Sequence, residues 1–499
     1  MTKLRAVNKF NLIAVVFLVF INFLGYIQPI LNGFFAFAYD QGRDLLAVAK
    51  IIYEGNLTLI GPTTGLQGIF YGPWWYYFLV PFLYISDGNP QGVAIFFGFL
   101  GLFTVIAIFL LTLRLTNNLL ISFLLTLTAS MSKNWMLVPT LIWSPSLVPI
   151  LMVGLVLTVF KIFNSQKPIY FFAFGLIVML IADSGAAFGI MLTLSFLLTP
   201  LIFRKAFLKK EFLISILGAM LILLPKIIFE LRNNFLISRS IISYIENPKI
   251  YGGNFSFFTR VWHRIDQVWG LISASISNSN KLLGLLAIIL IVLVLFKVCK
   301  DQKSWEKLKS DKLFWYLNFV LVTIFVGFTI YKDTVWDYYL VGLPVIFIIL
   351  IAKIFNLAHS IKNLKVPVIT FLFFLVALNF DKSFFTPFKI TWPGEGATYR
   401  NEKMVMDYIA SQNPKDYSFF AYSPAIFDPP FDYLLYWYSR KGLIESPKTN
   451  QKNMYLVIRE AETKKYLVSG WYGDKTKDST VILDRREFPG LLVEKHQFD

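Results

Sequence analysis

Apolar residues fill the first 380 positions of the 499-residue chain in long runs, broken by short polar segments. A helix needs about 20 apolar residues to cross the hydrocarbon core of a bilayer. Read against their flanks, the runs predict spans near residues 10–34, 90–113, 118–132, 145–163, 168–183, 185–203, 211–230, 281–298, 313–330, 337–356 and 366–380. The stretch from Phe10 to Ile30 follows a basic start. It is too long for a signal-peptide core and has no small-residue cleavage site before Asp40, so it is expected to remain as the first span. Beyond residue 381 the pattern changes. Residues 399–412 have helical spacing, while 417–423, 454–460 and 480–486 read as strands. The expected fold class is an all-α polytopic membrane bundle of about 11 spans over residues 1–381, followed by a small α/β domain over 382–499.

Charge sets the expected orientation. Lys and Arg gather in segments that would share one side: Lys3, Arg5 and Lys9; Arg114; Lys161 and Lys167; Arg204, Lys205, Lys209 and Lys210; Lys297 through Lys312; Lys362 and Lys365. The opposite turns hold Lys133, no base around Asp183, and Lys332. Basic residues favour the cytoplasmic side. This predicts a multi-pass plasma-membrane protein with a cytoplasmic N-terminus, an odd number of spans and an extracytoplasmic C-terminal domain. One run would break the scheme. Residues 73–86 (PWWYYFLVPFLYIS) are few, include Pro81, and would invert every later basic segment if they crossed. They read as a re-entrant or surface-lying segment on the outer side. The outer side then holds a first loop (35–89), a polar loop (231–280) and the C-terminal domain.

Composition narrows the function. Charged residues make up 15% of the chain, against about 25% in soluble domains. The net charge of +17 sits mainly in the short segments between runs, next to membrane lipids, and forms no basic surface interleaved with aromatics. Nucleic acid is not an expected partner. A single cysteine, Cys299, rules out an internal disulfide. Three scattered histidines, His263, His359 and His496, argue against a His-based metal site.

The first loop opens Tyr39-Asp40-Gln41-Gly42-Arg43-Asp44 and continues into LLAVAKIIYEG, an amphipathic helix expected to end at Gly55. Asp40 and Asp44 are one turn apart, with Arg43 beside them. Two readings stand together. Asp40 can cap the helix and Asp44 can sit in its first turn, where acids are favoured. Alternatively, a carboxylate at the membrane surface can take a proton from a hydroxyl or amine, and a guanidinium can grip a phosphate with two prongs.

This pattern resembles that of the GT-C glycosyltransferases, among them the bacterial relatives of the dolichyl-phosphate-mannose protein mannosyltransferases and the lipid A aminoarabinose transferase. Those proteins carry an outer loop with an acidic pair, a short D-E-x-R-x-x-x-A helix, a Gly/Pro stretch, and an aromatic segment after a proline. Here the matching residues are Asp40-Gln41-Gly42-Arg43 with Ala47, then Gly61-Pro62, then Gly72-Pro73-Trp74-Trp75-Tyr76-Tyr77. Gln41 stands where the family often has a second acid. Trp143-Ser144-Pro145, Phe229-Glu230-Leu231-Arg232-Asn233, and Asp337-Tyr338-Tyr339-Leu340 with Pro344 extend the resemblance over most of residues 1–380.

The resemblance implies an inverting transfer of a sugar from a polyprenyl-phosphate-linked donor to a lipid, glycan or protein acceptor on the outer face. Asp40 would be the base or acceptor-orienting carboxylate. Arg43, Asp44, Tyr71, Trp74, Lys226, Arg232, Asp337 and Tyr338 are the expected substrate-binding residues. The departing lipid phosphate calls for cations, and Arg239, Arg260 and Arg264 are further candidates. Lys226, next to Pro225 inside a span, is the costliest charge to place, unless it snorkels to the interface. Asp183 and Asp337 either line a cavity or mark span ends. No cofactor is expected: Asp40 and Asp44 offer hard oxygens to a divalent cation, but the family branch generally works without one. The alternative is a transporter or flippase of a lipid-linked saccharide. The lack of repeated halves and the scarcity of mid-membrane charge argue against it.

Overall fold

The computed structural model describes residues 9–132, 141–208, 210–246, 255–277, 280–359, 361, 363–380, 396–423, 428–449, 451–459, 465–477 and 479–498. Lys3, Arg5, Lys133, Lys209, Lys362 and the expected start of the C-terminal domain at 382–395 lie outside these residues.

Each of the eleven expected runs is helical. They form α1 (Lys9–Leu31), α4 (Pro90–Thr116), α5 (Leu119–Ser130), α6 (Val148–Ser165), α7 (Pro168–Ser184), α8 (Ala186–Ile202), α9 (Lys210–Arg232), α12 (Lys281–Lys300), α14 (Lys312–Ile330), α15 (Leu343–His359) and α16 (Lys365–Asn379). Six, namely α1, α4, α6 with its preceding turn, α9, α12 and α14, are long and apolar enough to cross a membrane. The other five are shorter apolar helices. Side-chain caps set several starts: Asn89, Asn118, Asn280 and Asp311 accept backbone N–H groups of the first turns of α4, α5, α12 and α14.

Contacts sort the helix ends into two groups, as an up-and-down bundle requires. At one end Asn356 donates to the Thr116 carbonyl, Lys353 pairs with Asp311, and Tyr316 packs among Phe163, Phe203 and Phe207. At the other, Asn379 donates to the carbonyls of Thr128 and Ile276. Between them α7 and α9 lie back to back. A Cβ at Gly175 would collide with the Ser215 carbonyl, and one at Gly218 with that of Phe172. Small residues let helices approach this closely in a membrane.

The first loop and the segment 231–280 contribute four helices. α2 (Tyr39–Glu54) and α3 (Trp74–Ile85) come from the first loop. α3 does not cross the bundle. The Trp74 indole donates to the Ile222 carbonyl in the half of α9 nearer the second group of ends, and Asp87, just past α3, meets Arg440 and Lys441 of the C-terminal domain. The expected polar loop 231–280 instead contains two helices, α10 (Leu236–Glu246) and α11 (Phe257–Ile276). α11 is amphipathic. Arg264 donates to the carbonyls of Phe328 and Asp333 and to Gln267, while Leu271 and Ala274 are buried. Its polar residues satisfy the carbonyls left free where α14 ends.

The short α13 (Gln302–Lys309) joins α12 to α14. The C-terminal part holds α17 (Tyr399–Ser411), β1 (Tyr417–Tyr422), α18 (Pro429–Arg440), β2 (Asn453–Arg459), α19 (Lys465–Thr476), β3 (Ser479–Phe488) and β4 (Leu491–Phe498). The sheet order is β1-β2-β4-β3, with β1 and β2 parallel across α18 and the other pairs antiparallel. The expected helix and three strands are present; α18, α19 and β4 carried no clear signal.

Among the described residues two large apolar cores form, beside a smaller one of α1 against α4 and α5 and a minor one at Ile276, Ala287 and Leu375. One large core lies within the bundle, from α4 to α16. The other joins Phe35, Phe37, Val48, Trp75, Leu79 and Phe97 to Tyr399, Phe431, Leu434 and Leu491, so the first loop and the C-terminal domain share one interior.

Candidate functional site at the first loop

The start of α2 differs from the capping expectation. The N-cap is Ala38, and the Gln41 side chain accepts the Ala38 backbone N–H at 3.0 Å. Asp40 is therefore not the cap but lies in the first turn, its carboxylate 42% exposed. Gln41 also donates to the Ile142 carbonyl at 3.3 Å, tying α2 to the segment ahead of the turn at Ser144–Leu147.

Arg43 links the two acids. Its Nη1 lies 3.0 Å from Asp40 Oδ1, while Nε and Nη2 lie 2.8 Å from Asp44 Oδ1. Asp44, 1% exposed, accepts the Trp75 indole N–H on Oδ2 at 2.7 Å. Burial pushes the Asp44 carboxyl up to about 6, against the opposing pull of Arg43 and the Trp75 hydrogen bond. Asp44 thus orients Arg43 from inside, and Asp40 meets the guanidinium from the open side.

Tyr71 and Tyr338 stand near the same carboxylate. Tyr71 interacts electrostatically with Tyr339, Asp40 and Arg43, and burial pushes its hydroxyl up to about 12, so it stays a hydrogen-bond donor. Tyr338 interacts with Tyr71 and Asp40 and packs edge-on to Trp143 at 5.1 Å. Of the expected site residues, Arg43 contacts Asp40, Asp44 backs Arg43, and Tyr71 and Tyr338 sense the Asp40 charge.

Lys226 forms a neighbouring pair. Its Nζ lies 2.6 Å from Asp183 Oδ1, and the Asp183 side chain is 4% exposed. The carboxylate presses against Gly72, where any Cβ would overlap it. Since Gly72 follows Tyr71, the pair abuts the Asp40 cluster through one peptide. Lys226 also lines a cavity of about 300 Å³ with Leu223, Ile227, Leu231 and Phe235. Asp183 is thus a paired charge and not only a span boundary.

The remaining expected residues are elsewhere. Trp74 turns its indole toward α9, and Arg232 and Asp337 are exposed at the end of α9 and at the turn before α15. Arg260 and Arg264 donate to the carbonyls of Thr329 and Phe328 at the end of α14, Arg260 also to that of Phe255, and Arg264 also to that of Asp333 and to the Gln267 side chain. Among the described residues no group of three or more His, Cys, Asp or Glu could hold a metal. Sequence reasoning missed Trp75 as the Asp44 partner, Tyr76 beside Arg43 and the contact of Gly72 with Asp183. The aromatic run after Pro73 was the available signal for the first two.

No family model and no curated protein matches the sequence. In structure the chain is similar to ArnT from Cupriavidus metallidurans, crystallised bound to undecaprenyl phosphate, with a TM-score of 0.58, 11% identity, and 98% of each chain covered. The likeness covers 98% of both chains, so the chain shares this fold, of the GT-C type; the six long apolar helices among its described residues mark the bundle as a multi-pass membrane unit.

Proposed function

We propose that the protein is a membrane glycosyltransferase that moves a sugar from a polyprenyl-phosphate donor to an acceptor on the extracytoplasmic face. The observation that carries this reading is the half-exposed Asp40 carboxylate beside a guanidinium locked in place by a buried acid, within a fold shared with a protein crystallised on undecaprenyl phosphate. In this reading residues 1–381 form the membrane unit, residues 382–499 form an outer domain, and the N-terminus is cytoplasmic.

The chemistry follows from the residues. An acceptor hydroxyl or amine docks on Asp40, which takes or orients its proton. The acceptor atom attacks the anomeric carbon from the face opposite the phosphate, so the configuration inverts. The carbon–oxygen bond to the phosphate breaks, and its electron pair stays on the phosphate. Arg43 and the protonated hydroxyls of Tyr71 and Tyr338 stabilise that anion. Lys226 lies behind Gly72, its charge already paired with Asp183.

The test is turnover of a polyprenyl-phosphate sugar by the purified protein in lipid nanodiscs, with product analysis for a new glycosidic bond. Asp40→Asn keeps the shape and removes the base, and a loss of about 10²-fold or more in kcat is expected, as for a positioned acid–base group. Undiminished transfer by Asp40→Asn sinks the mechanism. A lipid-linked saccharide that changes leaflet in liposomes, with no bond made, points to the flippase reading instead.

A further inference from the structure

We infer that the C-terminal domain positions the reacting helix: a buried Arg459–Glu402–Asp428 triad holds Pro429–Pro430 against Gly42 and so fixes where Asp40 and Arg43 stand. This rests on the reading of Asp40 as the reacting carboxylate.

Gly42 lies between Asp40 and Arg43 in the chain, and it has no room for a side chain. A Cβ there would collide with the backbone of Pro429 and Pro430. The two prolines open α18, which runs along α2, and their rings fix φ, so they make a stiff stop. Directly before them stands Asp428, with a side chain 2% exposed. Arg459, at the end of β2, donates to Asp428 at 3.1 Å, to Glu402 of α17 at 2.7 Å, and to the Gly396 carbonyl. Glu402 is fully buried. One guanidinium therefore joins β2, α17, the start of α18 and the backbone leading into α17.

The same unit also grips the chain ahead of Asp40. The Phe37 N–H donates to the Ala397 carbonyl at 2.8 Å, and the N–H groups of Tyr399 and Arg400 donate to the carbonyls of Phe35 and Gly33. The Tyr399 ring stacks on Phe35 at 4.9 Å and meets Phe37 edge-on, and its hydroxyl donates to Asn89. Asp40 is thus held on both sides in sequence, at 33–37 and at 42, by one body whose internal joint is Arg459. Buried ionic groups are a poor source of stability, since well-packed apolar residues often serve as well or better. A directional joint is what a triad provides and an apolar patch does not. Displacement of a reacting group by about 1 Å can cost roughly 100-fold in rate.

The experiment uses the full-length protein in nanodiscs and compares Arg459→Met, Arg459→Lys and the near-isosteric Glu402→Gln. Two readouts are taken: hydrogen exchange of the amides at 35–44, and the split of kcat against donor KM. The expected result for Arg459→Met is faster exchange at 35–44 and a kcat about tenfold or more lower, with donor KM nearly unchanged. Arg459→Lys restores part of both. Asp416→Ala, which removes an exposed pair with Lys448 in the same domain, leaves both unchanged. If β2 amides lose protection in Arg459→Met, the domain has unfolded, and Glu402→Gln then carries the test with the same expected direction. Unchanged exchange at 35–44 in a folded variant overturns the positioning role, as does a change only in KM. Exchange needs no turnover: a wild-type protein that makes no glycosidic bond overturns the proposed reaction, and the 35–44 amides still decide the positioning.

Discussion

At the scale of single residues, Asp44 sets the terms on which Arg43 works. With 1% of its side chain exposed, its ionised form loses hydration and regains only what Arg43 and the Trp75 indole return. Its carboxyl therefore titrates at about 6 in the folded protein, against 3.8 for the free group. The sign follows. A group whose pKa is raised by folding contributes stability that is complete below its unfolded pKa and lost as pH rises through the folded one. Asp44 thus favours the fold at low pH, yet holds Arg43 as a charged partner only above about 6. Transfer should rise with pH through an apparent pKa near 6, and Asp44→Asn should remove that limb along with much of the activity. A pH–rate profile of the two proteins checks this; an unchanged limb in Asp44→Asn would assign it to another group. The Asp40–Arg43 relation was legible in the sequence because i,i+3 spacing on a helix is local. The Trp75 partner was not, since it lies 31 residues away and reaches Asp44 only through the packing of α3 on α2.

At the scale of elements, α7 and α9 act as one unit. Their glycine contacts set the distance between them, and the Asp183–Lys226 pair closes them beside Gly72. Removing one partner of a buried pair leaves the other charge unpaired at a cost of about 3–5 kcal/mol. Lys226 keeps 22% of its side chain exposed, so a loss of about 3 kcal/mol, at the low end of that range, is expected for Lys226→Met. Combining it with Asp183→Asn removes the orphaned charge and should recover most of the loss. Thermal unfolding of the single and double variants in detergent measures both; equal losses would mean that the pair does not hold the helices. Lys226 was visible in the sequence as a costly charge and Asp183 as one at a span end or in a cavity, but their partnership was not. α11 tells a similar story. Its arginines read as further cations for the departing phosphate because the carbonyls they satisfy, at the end of α14 and just past it, lie more than 60 positions later.

The whole molecule is organised by its second core, which makes the C-terminal domain part of the same body as α2, α3 and the start of α4. If that body lies outside the membrane, the opposite ends of the helices are cytoplasmic. Cys299 reports on this directly: it is the chain's one cysteine, it is exposed, and it lies near the end of α12 away from the domain. A membrane-impermeant maleimide should label it only after the cells are permeabilised. In a Cys299→Ser background, Glu445→Cys on the exposed surface of the domain should be labelled in intact cells. Labelling of Cys299 in intact cells would reverse the proposed orientation.

The amino-acid sequence by itself determined the eleven apolar runs, the bias of their basic flanks, the turn from bundle to α/β domain, and the Asp40–Arg43 spacing. All of these are one-dimensional properties: run length, charge order and helical periodicity. Tertiary structure alone decided that Gln41 and Ala38, not Asp40, begin α2; that Trp75 satisfies Asp44; that Lys226 finds Asp183; and that Pro429–Pro430 press on Gly42. Apart from the helix start, these join residues from 31 to nearly 390 positions apart. No periodicity encodes such pairings. They arise because a buried polar group or a side-chain-free glycine must be matched by whatever the folded chain brings against it.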